Sequence, residues 1–204
     1  MKKLFLALAC VLLVAGMTGC GKKNLDVSRS TVYVDKNGKV TSVDIADFNE
    51  SYYSEDELNS YIEELVSDYT SSYGETVKVT EVSVDEETSV AKVVMTYDDA
   101  SDYVQLNGLV LYEGTVGDAK DAGYSFEADY YDVSGTEAVE ESYSPADEDL
   151  VVVSKGGSDV MVDGTIKYVS VLDGASLVLS DSKDTVGYDG EDISEKTMIV
   201  IYKR

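Results

Sequence analysis

The stretch "TVYVDKNGKVTSVDI", residues 31–45, limits the fold more than any other part of the chain. Val32 and Val34 alternate on one segment, and Val43 and Ile45 alternate on a second. Asp35-Lys36-Asn37-Gly38 separates them, a run rich in residues that accept positive φ. A period of two would scatter these side chains around a helix, so the pattern demands a β-hairpin. An EF-hand loop needs oxygen ligands at fixed spacing around a central glycine. Lys36, Lys39 and the short turn do not supply them.

A second hairpin is expected in "TVKVTEVSVDEETSVAKVVMTY", turning at Asp85-Glu86-Glu87-Thr88. Ala91, Val93, Met95 and Tyr97 share one face. The step from Val79 to Val82 breaks alternation and predicts a bulge. Further strands are expected at 150–154, 160–162, 166–171, 177–179 and 198–202, separated by Gly-Gly, Asp-Gly and Asp-Ser turns.

Helical period enters between the hairpins. In "SEDELNSYIEELVSDYTSSYG", Ser54 and Glu57 form a capping box, and Gly74 is a natural C-terminal stop. Leu58, Tyr61, Ile62, Leu65, Tyr69 and Tyr73 recur at three and four, which predicts one apolar stripe packed on a sheet. A short helix is expected over 99–107, ended by Gly108, and a further turn at Thr115 to Gly123 with Asp118 completing a capping pattern. Strands at both ends with helices between them argue for an α+β fold. Its expected form is a mostly antiparallel sheet, one main amphipathic helix, one or two short helices, and a β-rich C-terminal third. Residues 31–204 are expected to form a single domain, with a subdomain boundary possible in the acidic stretch 134–149, which holds the only proline, Pro145.

The amino terminus carries an address. Lys2 and Lys3 precede an apolar run, Leu4 to Ala15, of signal-peptide length and too short to span a bilayer about 30 Å thick. Met17-Thr18-Gly19-Cys20 follows. That sequence resembles the lipobox of bacterial lipoproteins, an apolar residue, two small ones and a cysteine, with Met17 in place of the usual leucine. The resemblance implies that residues 1–19 are a cleaved signal peptide and that Cys20 carries a diacylglyceryl thioether. Two acyl chains anchor stably where one binds marginally. Cys10 would leave an apolar run of only Leu4 to Ala9 and is rejected as the lipidation site. Residues 20–30 are then the anchor cysteine and a polar tether. The segment Thr115 to Gly123, with the hairpin and capped helix before it, resembles uncharacterised predicted lipoproteins of gut clostridia. That likeness implies location and adds nothing about catalysis.

Composition excludes several functions. A formal charge of −24 removes nucleic acid as a partner, because phosphate recognition needs clustered lysine and arginine. Only Lys22 and Lys23 would favour anionic head groups. The chain has no histidine, which removes the commonest general base and most zinc and haem sites. With Cys20 acylated and Cys10 removed, the core must hold without a disulfide. Sixteen tyrosines against three phenylalanines suit half-wet packing faces and leave room for a tyrosine-lined binding surface.

Catalytic patterns are weak. Ser89-x-x-Lys92 and Ser180-x-x-Lys183 match the S-x-x-K pattern of serine β-lactamases, but neither opens a helix, and no K-T-G accompanies them. Asp98, Asp99 and Asp102 are the one acidic cluster worth testing for glycosidase chemistry. Asp184, Asp189, Glu191 and Asp192 could in principle offer an oxygen-only metal site, though without a recognisable loop pattern. No catalytic, metal or cofactor residue is therefore assigned. The expectation is a membrane-anchored, extracytoplasmic lipoprotein, non-enzymatic, acting as a binding or assembly module on a protein or glycan ligand. The alternative is an extracytoplasmic carboxylate hydrolase acting on glycan or cell-wall material.

Overall fold

The structure, a computed structural model, describes residues 25–135 and 138–204. The signal-peptide segment, Cys20 and residues 21–24 lie outside that range, as do Thr136 and Glu137 in the acidic stretch.

The first hairpin joins β1 (Thr31–Val34) to β2 (Val40–Asp47) in antiparallel register, Val34 opposite Val40. Its turn is tight because Asp35 Oδ1 accepts from the Asn37 and Lys39 amides and Gly38 takes φ +80°. The helix α1 (Glu55–Tyr73) follows, with Ser54 accepting from the Glu57 amide and Gly74 at its end. β3 (Val77–Asp85) and β4 (Val90–Tyr97) form the second hairpin, with a register shift between Val79 and Glu81. Two short helices, α2 (Ala100–Asn107) and α3 (Val116–Asp121), flank β5 (Val110–Thr115). The rest is strand: β6 (Tyr130–Asp132), β7 (Val139–Glu141), β8 (Leu150–Lys155), β9 (Asp159–Val162), β10 (Thr165–Ser170), β11 (Ala175–Leu179), β12 (Thr185–Gly190) and β13 (Thr197–Lys203).

These strands make two sheets where one was expected. The larger runs β11-β12-β9-β1-β2-β4-β3, and the smaller runs β5-β8-β13-β10-β6-β7. Pairing is antiparallel except between β1 and β9, which lie parallel. The overall class is mixed α and β, β-rich, and mostly antiparallel. Strands from the two ends of the chain meet at the β1–β9 pair, and that parallel pair makes the larger sheet mixed.

The sheets share one core. Val32, Val34, Val160 and Val186 from the larger sheet meet Val152, Val200 and Tyr202 from the smaller. Alternate residues of the same smaller-sheet strands, Val151, Val153, Ile199 and Ile201, bury on the opposite side with Val116 and Ala119 of α3. Both faces of β8 and β13 are covered, which explains their unbroken apolar runs. Residues on both sides of 134–149 enter the larger cluster. That stretch is itself broken by β7.

α1 buries Ile62 and Tyr69, with Leu58 and Val66 beside them, against β3 and β4. Tyr61 and Tyr73 are 62% and 57% exposed, so the buried stripe is narrower than the spacing predicts. Tyrosine belongs to either environment, and counting it as apolar widened the stripe.

Candidate functional site

The acids singled out by sequence are engaged by their own neighbours. Asp99 caps α2, accepting from the Ser101 and Asp102 amides. The Ser101 hydroxyl and these amides hold its carboxyl below the ordinary range. Asp98 pairs with Lys39 at 2.8 Å. Asp102 accepts from Tyr69 Oη at 2.7 Å and Thr76 Oγ1 at 2.8 Å, tying α2 to α1 and to the start of β3. The three carboxylates therefore serve three separate contacts.

Neither S-x-x-K serine opens a helix. Ser89 ends the β3–β4 turn with φ +54°, and Lys92 reaches Glu81 at 3.4 Å. Ser180 sits in the turn after β11, and Lys183 donates to the Ser134 and Gly135 carbonyls.

The region proposed for oxygen ligands is a strand and two tight contacts. Asp184 Oδ1 accepts from the hydroxyls of Ser180, Ser182 and Thr185 at 3.1, 2.6 and 3.0 Å. Asp189 at the end of β12 pairs with Arg29. Asp192 opens a 3-10 turn with φ +56°. Among the described residues no group of three or more His, Cys, Asp or Glu side chains could hold a metal ion.

Of the open cavities among the described residues, two are organised by identifiable side chains. The first, about 530 Å³, lies where residues 26–31 cross β9 and the β11–β12 turn. Its organiser is Arg29. Nε bonds Asp159 at 2.9 Å, Nη1 bonds Asp189, and Nη2 donates to the Tyr188 carbonyl at 3.0 Å. The Asp189 contact, with Asp159, raises the guanidinium pKa. Burial pushes the Asp159 carboxyl up despite Arg29. The cation here is consumed by its two carboxylates, and the feature holds the start of the fold in place. Residues 25–30, read from sequence as tether, are thus partly built into the sheet.

The second cavity, about 440 Å³, opens between β2, β4 and the start of α1. Ala91 and Val93 form its floor and Leu58 one side. Phe48 and Tyr53 form an aromatic wall, their ring centroids 4.9 Å apart. The Phe48 amide donates to the Ser89 carbonyl at 2.7 Å, which fixes the chain as it leaves β2. Ser30 holds the far side, its hydroxyl donating to the Ile45 carbonyl and accepting from the Ile45 amide.

Asp44 is one of two carboxylates that line this cavity, with Asp47. Its side chain opens to solvent through the mouth, yet the surrounding protein pushes its carboxyl above the ordinary carboxylate range, against the opposing effect of the Ser42 hydroxyl. Ser42 Oγ donates to Oδ2 at 2.9 Å, and among the described residues no lysine or arginine pairs with Asp44. Tyr52, 71% exposed, stands edge-on to Tyr53 at 4.9 Å and extends the aromatic surface outward. The alternation of β2 places Asp44 on the inner face, where sequence reasoning sees only one polar residue among strand positions. The adjoining "FNESYY" was the available signal, three aromatics in six residues on a path that is neither helix nor strand.

No family model matches the chain, and no curated protein or solved structure shows a significant match to it.

Proposed function

We propose that this chain is a lipid-anchored, extracytoplasmic binding or assembly module, attached to the cell membrane through Cys20 and working without catalysis of its own. The observation that carries the proposal is the order charged start, apolar run Leu4 to Ala15, small pair and Cys20. Arg29 supports it. Only eight residues separate this built-in residue from the anchor, so the domain would ride within roughly 30 Å of the bilayer. The exposed aromatic group at Tyr52 and Tyr53 beside an open cavity supports the binding role, because exposed aromatics on a charged surface mark contact sites.

Membrane fractionation and intact mass of the wild type against Cys20→Ala test the anchor. The expected outcome is a membrane-bound wild type whose mass fits cleavage before Cys20 plus lipid, and a variant that loses both. An unmodified wild type released into the medium overturns the proposal.

A further inference from the structure

We infer that the cavity between β2, β4 and the start of α1 takes the ammonium head of a lysine side chain presented by a basic peptide segment. The inference rests on the binding-module reading and is independent of the anchor.

The cavity combines the two surfaces an alkylammonium requires. Leu58, Ala91 and Val93 offer apolar area to an aliphatic stem. Asp44 offers a carboxylate, and the Phe48 and Tyr53 rings offer aromatic faces for the cationic head. The electrostatics outside the pocket have the same sign. Asp47 also lines the pocket, Glu50 lies in the turn before Tyr53, and Glu55, Asp56 and Glu57 occupy the first turn of α1. The N-terminus of α1 contributes about half a positive charge, which these carboxylates outweigh. An anionic occupant would meet repulsion from these carboxylates, and no lysine or arginine lines the pocket to offset it.

Lysine fits better than arginine. A guanidinium binds a carboxylate best through two parallel bonds, one to each oxygen. Ser42 already occupies Oδ2. A compact ammonium needs only one oxygen and the ring faces. A peptide fits better than a free diamine, because the acidic rim and the exposed Tyr52 extend well beyond the pocket mouth. They would contact the residues flanking an inserted lysine.

The probe is a labelled, end-blocked tetralysine peptide, titrated by fluorescence anisotropy into the full chain. An ionic strength of about 0.15 M limits diffuse attraction to a range of about 8 Å. The same peptide with acetylated lysines, a tetra-arginine peptide and 1,5-diaminopentane serve as comparisons. The expected result is saturable binding of tetralysine, weakened about tenfold by Asp44→Asn and about threefold by Tyr53→Leu. Asp173→Asn, which removes one equally exposed charge from the loop before β11, should change it less than twofold. Tyr53 is exposed, so its variant keeps the test valid if Asp44→Asn unfolds.

Equal weakening by Asp44→Asn and Asp173→Asn means diffuse attraction and overturns the inference. Tighter binding of tetra-arginine, or diamine binding as tight as the peptide, also overturns it. If the acetylated peptide binds as well as tetralysine, the cation site fails while a peptide-binding module survives. If neither peptide binds, both the inference and the binding role of this surface fail.

Discussion

A missing methyl group at Gly187 decides how the first described residues attach to the fold. A Cβ there would stand 1.7 Å from Asp159 Oδ1. The space it leaves is filled by the carboxylate that Arg29 bonds. Gly187→Ala should therefore push Asp159 out of place and loosen the Arg29 contact. The cost should be about 1–3 kcal/mol, the usual range for overpacking a well-filled site. Urea unfolding of the single variant, and of Gly187→Ala with Asp159→Ala, checks this. The two substitutions should cost clearly less together than the sum of their separate costs, because the second removes the clash made by the first. Strict additivity would show that the steric conflict is relieved elsewhere.

The helix α1 separates what side-chain spacing reveals from what packing decides. Ile62 is 8% exposed on the side facing β3 and β4, while its neighbour Tyr61 points to solvent. Ile62→Ala should cost about 2–4 kcal/mol, and Tyr61→Ala should stay within about 0.5 kcal/mol. Thermal or urea melts of the two variants suffice, and comparable losses would mean that the helix packs on a different face. The local signals at this level were written in plain residues. Ser54, Gly74, Gly108 and the broken alternation between Val79 and Val82 each mark a helix terminus or bulge of the folded chain. β12 was hidden because "TVGYDG" has two glycines and an aspartate in six residues and reads as a turn. Its strand character comes from pairing with β11 and β9, and Gly187 is there for the carboxylate behind it. The pocket at Asp44 was equally hidden. Its parts lie on β2, β4 and α1, and only the tertiary arrangement brings them together.

Taken as a unit, the molecule holds the proton on several of its packed tyrosines more tightly than water does. Burial raises Tyr33, Tyr69 and Tyr130 to about 12, and Tyr103, Tyr143, Tyr188 and Tyr202 are raised as well. An unfolded tyrosine ionises near pH 10. Below that value both states hold the proton and the packing contributes in full. From about 10 to about 12 the unfolded chain releases protons the folded chain retains, so stability falls as pH rises. Tyrosinate absorbance should keep climbing beyond pH 10, and its late part should rise together with loss of the circular dichroism signal. A gradual rise complete near pH 10 with the signal intact would contradict this. The topology has a further consequence, for the timing of folding. β1 lies in the middle of the larger sheet, joined on one side to β2 and on the other to β9, whose first residue, Asp159, bonds Arg29 across 130 positions. One flank of the earliest strand therefore has no partner until residue 162 has been synthesised. Contacts this distant in sequence close slowly. The larger sheet therefore cannot close around β1 until about four-fifths of the chain has been made, and its outer strands β12 and β11 are added after that.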